Sequence, residues 1–146
     1  MTLADILKVK GSQVHTIHPD ETVEAAVQEL VRHNVGALVV CERDLEHGEK
    51  LCGIITERDI LRFVAHKDRS AADTKVAEVM TRSPHTRDPS CSVEEAMAVM
   101  TQLKIRHLPV VSGGKLVGIV SIGDLVKAEL DRLEMENKFM RRYIQT

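Results

Sequence analysis

The sequence predicts an α/β (α+β) fold made of two β-α-β-β-α units, and three observations lead to this prediction. The first is an internal repeat, in which residues 15–26 read HTIHPDETVEAA and residues 85–96 read HTRDPSCSVEEA. The second is the spacing of apolar residues, which is helical in one part of each copy and strand-like in the next. The third is composition, since 43% of the 146 residues are hydrophobic and only 2% are aromatic. An aliphatic interior of this kind suits closely packed layers of helix on sheet.

The two copies define the predicted organisation of the chain. They keep one offset from His15 and His85 to the strand motifs VGALVV (35–40) and IRHLPV (105–110). The offset shortens after these motifs because the first copy carries a longer loop, ERDLEHGEK. We therefore expect two repeats that pack about a pseudo-two-fold axis, followed by an extended C-terminal helix. The predicted divisions are a first repeat at 1–66, a linker at 67–75, and a second repeat with the C-terminal helix at 76–146.

Each copy is predicted to form an extended segment, a helix, a hairpin and a final helix. The predicted positions are an extended segment around Thr16 or Thr86, a helix at 23–33 or 93–103, strands at 36–41 and 51–56 or at 107–111 and 115–121, and a final helix that opens at Asp59 or Asp124. Ser92 and Glu95 match the S-x-x-E capping box, whereas the first copy offers Thr22 as N-cap with Ala25 in place of the glutamate. Ser-Gly-Gly between the last two strands favours a tight hairpin turn.

Charge and hydropathy argue against two classes of partner. A formal net charge of −2, with dispersed Lys and Arg, favours neither nucleic acid nor an anionic membrane surface. No apolar run approaches the ~20 residues that a membrane span needs, and the first residues, MTLADILKVKGS, show no targeting pattern. We therefore expect a soluble, cytoplasmic protein.

The cysteines and histidines are interpreted as structural or ligand-lining residues. Cys41, Cys52 and Cys91 form no C-x-x-C pair, and small buried hydrophobic residues in a reducing compartment are the favoured interpretation. Cys41 and Cys52 are placed near each other, because their strands are expected to pair, but without a redox role. No Cys, Asp or Glu cluster accompanies the seven histidines in sequence, so a metal site is not expected. No Ser/His/Asp or Cys/His set occurs in a motif context that supports catalysis.

The functional signal lies at two strand-to-helix corners, GIITERD and GIVSIGD. Thr56 and Ser121 end a strand, and Asp59 and Asp124 follow in the first turn of the next helix. For one such pair, helix capping is the simpler interpretation, because a first-turn carboxylate stabilises free N–H groups and the helix dipole. Two copies in register favour a binding site. A helix N-terminus beside a hydroxyl attracts phosphate, and a nearby carboxylate accepts hydrogen bonds from a ribose diol.

Phosphate and ribose together indicate a nucleotide. Its base is expected to lie against apolar strand residues near Val35–Leu38 or Ile105–Leu108, where backbone groups would read it. Because aromatic residues are scarce, Val, Ile and Leu rather than an aromatic ring would sandwich the base. The segment VKGS (9–12) is too short for a P-loop, but Lys10 can still reach a phosphate.

The repeated unit, the G-h-h-[ST]-x-x-D motif (h, apolar) and RHLPV (106–110) resemble a tandem pair of CBS domains, the cystathionine-β-synthase-type regulatory module. The segments HNVGALVV, GIITERD, IRHLPV and VSIGDLV are most similar to the stand-alone CBS-pair proteins of bacteria and plant organelles. The resemblance implies binding of AMP, ADP, ATP, NAD(H) or S-adenosylmethionine in clefts between the repeats, and assembly into dimers. It further implies these roles: ribose held by Asp59 and Asp124, phosphate held by Thr56 and Ser121, and base or phosphate bordered by Thr16 and Thr86.

The predicted ligand-binding residues differ between the two copies. The full set is Thr16, Val35, Gly36, Ala37, Thr56, Arg58, Asp59, Thr86, Ile105, Arg106, His107, Leu108, Pro109, Ser121 and Asp124. In the second copy Gly123 replaces Arg58, and Arg106 replaces Gly36. Each copy therefore brings one arginine near a phosphate from a different place, with a solvated surface charge as the alternative for each. Val39 replaces the motif's proline in the first copy. We predict two non-equivalent sites.

The final helix of the second copy continues beyond its counterpart. A 4-3-4-3-4 spacing joins Val126, Leu130, Leu133, Asn137, Met140 and Ile144. This is the a/d seam of a coiled coil with one Asn, which can set the register between two helices. We favour a contact between two copies of the chain over packing within one subunit, because the seam exceeds what one small module needs to bury.

The residues and the resemblance together predict a non-catalytic regulatory module. It is expected to bind an adenosine nucleotide between its repeats and to signal occupancy to an unknown partner. A constitutive dimeric scaffold with vestigial sites is the alternative. An enzyme is least favoured, because families with this module carry catalysis in an additional domain.

Overall fold

Each half of the structure is built on an antiparallel hairpin with helices packed on one face. The computed structural model describes residues 1–44 and 48–145. In chain order the elements are α1 (Leu3–Lys10), β1 (Thr16–Ile17), α2 (Val23–His33), β2 (Ala37–Asp44), β3 (Gly48–Thr56), α3 (Glu57–His66), α4 (Val76–Val79), β4 (Thr81–Arg82), α5 (Val93–Leu103), β5 (His107–Ser112), β6 (Lys115–Ser121) and α6 (Ile122–Gln145). This is the predicted mixed α/β fold, with α6 as the extended C-terminal helix.

The two hairpins have matching registers. Each contains one irregularity at the same place, after Val40 in β2 and after Val110 in β5. β2 and β3 run further than predicted, and the centre of the predicted loop, residues 45–47, lies outside the described residues. The second hairpin turns at Gly113 and Gly114, whose φ angles of +57° and +80° favour glycine, as the Ser-Gly-Gly sequence predicts.

The two sheets differ in size. β1 and β4 extend the first hairpin to a sheet of order β1-β2-β3-β4, whereas β5 and β6 form a two-stranded sheet. β1 runs parallel to β2 and pairs Thr16 with Val39. The extended segment predicted around Thr86 is reduced to one parallel bridge, between Arg87 and Val110. β4, which the sequence pattern does not predict, pairs antiparallel with β3.

Helices α2 and α5 begin and end where the sequence predicts. Thr22 Oγ1 accepts a hydrogen bond from the Ala25 N–H at 3.1 Å, and Ser92 Oγ accepts one from the Glu95 N–H at 3.0 Å. The Glu95 carboxylate accepts a contact from Cys91 Sγ at 3.6 Å, and no return bond from Glu95 to the Ser92 backbone occurs among the described residues. Only half of the predicted capping box therefore forms.

The leading helix of each repeat packs against the other repeat. Leu3 of α1 lies in the hydrophobic core of the second repeat, and its N–H donates to Cys91 O at 2.9 Å. Conversely, Val76 of α4 lies in the core of the first repeat, and its N–H donates to Glu21 O at 2.8 Å. The repeat boundaries in the sequence stay a prediction, and each folded core is completed by a helix from the other side of the predicted boundary.

A second buried face of each hairpin looks toward the other repeat. Leu38, Val40 and Ile55 belong to the helix-side core of the first repeat. Their neighbours Val39 and Ile54 point to the opposite face, because side chains alternate along a strand. These two are also buried but belong to neither helix-side core. Since β3 contacts β6, Val39 and Ile54 are buried between the two hairpins.

Helix α6 leaves the body of the protein after its first turns. Leu125 is buried, whereas Leu130, Leu133 and Ile144 of the predicted seam are 61%, 51% and 76% exposed. Within the described ranges, no helix combines the length and the apolar character needed to cross a membrane.

Candidate ligand-binding clefts

The first corner holds Asp59 in a closed set of hydrogen bonds. The Thr56 N–H and hydroxyl donate to Asp59 Oδ2 at 3.0 and 3.1 Å, and the Asp59 N–H donates to Thr56 Oγ1 at 3.3 Å. The Thr81 hydroxyl of β4 donates to Asp59 Oδ1 at 3.1 Å. Asp59 is only 8% exposed, and both carboxylate oxygens accept hydrogen bonds within the protein. This pair is therefore a complete capping box as well as a candidate site.

The second corner repeats the pair and adds a cation. The Ser121 N–H donates to Asp124 Oδ2 at 2.8 Å, and the Asp124 N–H donates to Ser121 Oγ at 3.1 Å. Lys10, the last residue of α1, donates from Nζ to Asp124 Oδ2 at 2.6 Å and to Ile119 O at 2.7 Å. Burial alone would raise the pKa of Asp124, but the bonds from Lys10 and Ser121 and the Lys10 charge outweigh burial and hold that pKa below its ordinary value. The corner therefore contains an ionised carboxylate with an ammonium on it.

The segments that pack on the other repeat, α1 on the second repeat and α4 with β4 on the first, are called the exchanged segments. They contact the two corners differently. In the first corner, the Thr81 backbone pairs with Ile54 of β3 and the Thr81 hydroxyl reaches the aspartate. In the second corner, the Lys10 ammonium reaches both the aspartate and the carbonyl of Ile119, the residue that corresponds to Ile54. A neutral hydroxyl in one cleft thus corresponds to a positive charge in the other.

Two glycines allow the exchanged segments to lie close to the strands. A Cβ added to Gly53 would lie 2.5 Å from the Thr81 carbonyl oxygen. A Cβ added to Gly118 would lie 2.7 Å from Leu7 Cδ2 of α1. The glycine that opens the G-h-h-[ST]-x-x-D motif is therefore required by the packing of a segment from the other repeat.

His107 lies where the two repeats meet. Its ring is beside Gly36, at which an added Cβ would be 3.1 Å from His107 Cε1 and 3.5 Å from Glu57 Oε1. Burial, followed by the charge of Lys10, lowers the pKa of His107, so the ring is neutral near pH 7. The structure thus brings the predicted residues Gly36 and His107 together across the repeats.

The predicted base-contacting residues are divided between the cleft side and the cores. Leu108 is fully buried in the second core, and Val35 and Ile105 pack against the first and second cores. A ligand between the repeats can therefore meet only the backbone of Leu108. Ala37 and Pro109 are buried on the opposite strand face, which looks toward the other repeat.

The two predicted arginines are exposed and adjoin the helix starts. The Gly36 carbonyl accepts the Glu57 N–H of α3 at 3.0 Å, and the Arg106 carbonyl accepts the Ile122 N–H of α6 at 2.9 Å. The side chains of Arg58 and Arg106 make no hydrogen bond or ion pair with other residues in 1–44 and 48–145. Both guanidinium groups are thus turned to solvent.

The two predicted threonines lie further from the corners. Thr16 is in β1, and Thr86 lies before the bridge at Arg87, whose Nη1 donates to Thr86 O at 2.7 Å. No hydrogen bond among the described residues joins either threonine to Asp59 or Asp124. The structure therefore brings each serine or threonine of the motif to its aspartate, but does not bring Thr16 or Thr86 to them.

A depression of about 330 Å³ lies between α2 and α3, away from both aspartates. Its lining is Val27, Leu30, Val31, Asn34, Val35, Glu57 and Ile60. Val35 is the one predicted ligand-binding residue in this lining. The lining contains neither aspartate, so the depression adjoins the first corner at Glu57 without including Asp59.

His15, His33, Cys41 and Cys91 take part in packing. Within the described ranges, no group of three His, Cys, Asp or Glu side chains is placed to hold a metal ion. The His15 ring stacks on that of His33, with centroids 3.8 Å apart, and His33 Nε2 lies 2.9 Å from Glu29 Oε2. Cys41 and Cys91 are buried, and burial raises the pKa of Cys41 to about 11.

Sequence reasoning missed two residues of the corners, Thr81 and Glu57. Thr81 lies outside the duplicated motif and Glu57 stands at one of its unspecified positions, so the repeat gives no reason to select them. The available signal for Thr81 is its place shortly after α4, the short helix that begins the second repeat as α1, with Lys10 as its last residue, begins the first.

The CBS domain family model matches residues 3–66 and 76–131, the two segments that carry the corners. The chain belongs to the CBS domain family. Its two matched segments correspond to the two repeats, and each CBS repeat supplies one carboxylate corner. CBS-domain pairs are in general regulatory, non-catalytic modules that bind adenosine ligands.

Several CBS proteins are similar over most of their length. The mitochondrial CBS domain-containing protein CBSX3 of Arabidopsis thaliana is 40% identical over 152 residues, which cover 99% of this chain and 72% of that protein. The crystal structure of a CBS-domain-containing protein from Agrobacterium tumefaciens is 35% identical, with a TM-score of 0.80 over 88% of this chain and 99% of that chain. The CBS domain pair of protein MJ0100 is 28% identical, with a TM-score of 0.74 over 88% of this chain and 98% of that chain. That pair was solved in complex with 5′-methylthioadenosine and S-adenosyl-L-methionine.

Proposed function

We propose that this CBS pair is a non-catalytic sensor that binds an adenosine nucleotide, AMP, ADP, ATP or NAD(H), between its repeats and signals occupancy to a partner. The observation that carries the proposal is the duplicated corner, in which a hydroxyl and a carboxylate at a helix start meet a segment of the other repeat. A carboxylate accepts hydrogen bonds from ribose hydroxyls. The start of the adjoining helix attracts phosphate.

The Asp124 cleft is the better candidate of the two. The Asp124 side chain is 28% exposed, and Oδ1 accepts no hydrogen bond among the described residues. Asp59 is only 8% exposed and both of its oxygens accept hydrogen bonds from Thr56 or Thr81, so a ribose reaches it only if the first corner opens. We therefore expect two sites of different affinity, with the Asp124 cleft filled first.

The remaining predicted residues have supporting roles in this proposal. The base lies against the inter-repeat faces that carry Ala37 and Pro109 and meets backbone groups near Val35 and Ile105. Arg58 and Arg106 are available for phosphate because their side chains are free of ion pairs among the described residues. Thr16 and Thr86 border the bound nucleotide only from a distance.

Signalling follows from the contacts between the repeats. A ligand shifts an arrangement only through its different affinity for the two arrangements. A nucleotide held by α6 and by the exchanged α1 at the same time ties the position of α1 to occupancy. A partner that contacts α1 or α6 would then detect the ligand.

We propose that the partner surface includes a second copy of the chain, joined through α6. The seam residues are exposed on a helix that leaves the body, with Asn137 as the one polar member of the series. Burying such a seam against an identical helix removes apolar surface from water, and the Asn pair fixes the register.

The test is a calorimetric titration with AMP, ATP, NADH and S-adenosylmethionine. Asp59→Asn and Asp124→Asn retain a side chain that can cap the helix while removing the carboxylate charge. We expect nucleotide binding to the unaltered protein, loss of the tighter site in Asp124→Asn, and loss of the weaker site in Asp59→Asn. The ligand should raise the unfolding temperature, and at one hundred times Kd it should raise the free energy of unfolding by about 2.7 kcal/mol.

A constitutive scaffold with vestigial sites is the second candidate, and the closed hydrogen bonding of Asp59 favours it. Absence of binding by all four ligands would overturn the sensor proposal and leave the scaffold. Normal binding by both asparagine variants would show that the two aspartates serve only as helix caps. A cytoplasmic location stays a prediction, since the Arabidopsis relative is named as mitochondrial.

A further inference from the structure

We propose that Lys10 is the specificity-determining residue of the Asp124 cleft and makes it prefer a nucleoside 5′-phosphate to the corresponding neutral nucleoside. This inference rests on the proposed binding of adenosine ligands at the corners. It adds a reason why the Asp124 cleft would prefer a negatively charged ligand.

The position of the Lys10 ammonium is fixed by the packing of α1 on the second repeat. Leu3 anchors the start of the helix in the second core, and Leu7 lies against Gly118 of β6. The helix ends at Gly11, whose N–H donates to Leu7 O at 2.8 Å and whose φ of +98° suits glycine. Lys10 therefore projects from a held helix end into the cleft rather than from a free loop.

Lys10 and a ribose compete for the same carboxylate oxygen. Asp124 Oδ2 accepts both the Lys10 ammonium at 2.6 Å and the Ser121 N–H at 2.8 Å. A ribose diol that uses both carboxylate oxygens must take the place of Lys10 on Oδ2. The Lys10 side chain is 33% exposed, so the displaced ammonium favours a new anionic partner, because leaving a partly buried charge unpaired is costly.

The ligand itself can supply that partner if it carries a phosphate. A 5′-phosphate adds negative charge on the same molecule as the diol, so Lys10 exchanges one anion for another. A neutral nucleoside offers no such anion, and a sulfonium ligand adds a second positive charge. His107, the ionisable ring beside Lys10, is held neutral and does not compete for the phosphate.

The first cleft lacks this device. In the first cleft the Thr81 hydroxyl bonds to Asp59 Oδ1, and the Thr56 hydroxyl bonds to Asp59 Oδ2, the oxygen that corresponds to the one bonded by Lys10. A displaced hydroxyl can return to water without a charge to compensate. The two clefts therefore form a matched pair, in which the same aspartate is bonded by an ammonium in one and by a neutral group in the other.

The test compares AMP with adenosine in Asp59→Asn protein, in which only the Asp124 cleft keeps its carboxylate. The measurement is the ratio of the two Kd values by calorimetry, with Lys10→Met and Lys10→Arg introduced separately. We expect Lys10→Met to reduce the preference for AMP about tenfold or more, as the loss of one charged hydrogen bond implies. AMP binding should weaken while adenosine binding does not. Lys10→Arg should retain the preference, and added salt should reduce it more in the proteins with a cation at this position than in Lys10→Met.

The matched control is Thr81→Val in Asp124→Asn protein, which should leave the ratio of AMP to adenosine unchanged. Binding of AMP with an unchanged ratio in Lys10→Met would overturn the role of Lys10 and leave the proposed function intact. Equal weakening of both ligands would also overturn it, because a structural role alone has that effect. If neither ligand binds the unaltered protein, the proposed function fails and this inference fails with it.

Discussion

At the scale of single residues, the glycines of the duplicated motif show how closely the two repeats are joined. Gly53 faces a backbone oxygen of the exchanged segment, and Gly118 faces the end of a leucine side chain. A leucine side chain can change rotamer, whereas a carbonyl held in a strand pair cannot move without breaking that pair. A side chain at this motif position is therefore tolerated better in the second copy, at residue 118, than in the first, at residue 53.

We expect Gly53→Ala to destabilise the protein by about 1–3 kcal/mol and Gly118→Ala to cost less. The added methyl group at residue 53 pushes β4 away from β3, while the one at residue 118 requires only Leu7 to rearrange. Urea unfolding of the two variants measures the difference directly. Equal losses of stability would contradict this account of the motif glycine.

Acidification is expected to destabilise the protein through His107. The charged groups that face it are Lys10 on α1, Glu57 on α3, Asp124 on α6 and Arg106, the residue before its own strand. Burial and Lys10 lower its pKa in the folded state, so the unfolded chain takes up a proton first as the pH falls. The contribution of the neutral His107 ring to the free energy of unfolding is complete above the ordinary histidine pKa. It is lost as the pH falls toward the pKa of His107 in the folded state.

The measurement is the unfolding free energy of the unaltered protein and of His107→Gln at about pH 7.5 and about pH 5.5, on either side of the ordinary histidine pKa. The unaltered protein should lose more stability between the two conditions than the variant. The comparison removes the contribution of His15, whose pKa is also lowered by burial. An equal loss in both proteins would assign the pH dependence to other groups.

The corner residues were predictable because they occur twice. One T-x-x-D is explained by helix capping, and Asp59 does form a capping box. The second copy in register is what directs attention to Asp124. Thr81 could not be selected in this way, because its contact with Asp59 depends on which repeat the segment after α4 packs against.

At the scale of elements, α1 should stabilise the second repeat, although in sequence it belongs to the first. Leu3→Ala is expected to cost about 2–5 kcal/mol, because Leu3 is fully buried in the second core. Val9→Ala is the matched control on the same helix, since Val9 is 93% exposed, and should change stability by no more than about 0.5 kcal/mol.

Hydrogen exchange of the Leu3→Ala protein tells which repeat is affected. Amide protection should fall in β5 and β6 more than in β2 and β3, because local stability follows local packing. Loss of protection confined to β1 and β2 would show that α1 stabilises its own repeat instead.

The elements that the sequence predicts well are those with a local signal. α2 and α5 have amphipathic spacing and an N-cap hydroxyl, and their bounds are as predicted. β4 has only two residues and no periodicity, and it exists because β3 offers it an edge. The extended segment near Thr86 forms only one bridge, so its strand character also depends on tertiary contacts that no local pattern encodes.

At the scale of the whole molecule, the exposed seam of α6 is expected to join two copies of the chain. Leu133→Glu places a charge on the seam, whereas Met135→Glu places the same charge on another side of the helix, where the residue is 72% exposed. We expect Leu133→Glu to weaken self-association by more than about tenfold and Met135→Glu to leave it nearly unchanged.

Sedimentation equilibrium of the two variants and the unaltered protein measures this effect. A monomeric unaltered protein would remove the dimer from the proposed function without affecting the ligand proposal. Dimers that persist in Leu133→Glu would show that another surface, such as the depression between α2 and α3, joins the copies.

The duplicated architecture was predictable from the repeat, but the exchange of the leading helices was not. The sequence of α1 would fit either core equally well, because Leu3 and Ile6 specify only an apolar stripe. The core that α1 joins is determined by backbone hydrogen bonds from α1 to residues 89 and 91 and by the ion pair at Asp124. These contacts join residues far apart in the chain.

The exchange of α1 also sets an order of events during synthesis. α1 leaves the ribosome before the residues that cover it, since its contacts lie at 89–93, in β6 and in α6. Until those residues emerge, Leu3 and Ile6 have no partner and the helix is too short to persist alone. The second core closes only when the opening helix returns to it, so the nascent chain must keep that helix available throughout translation.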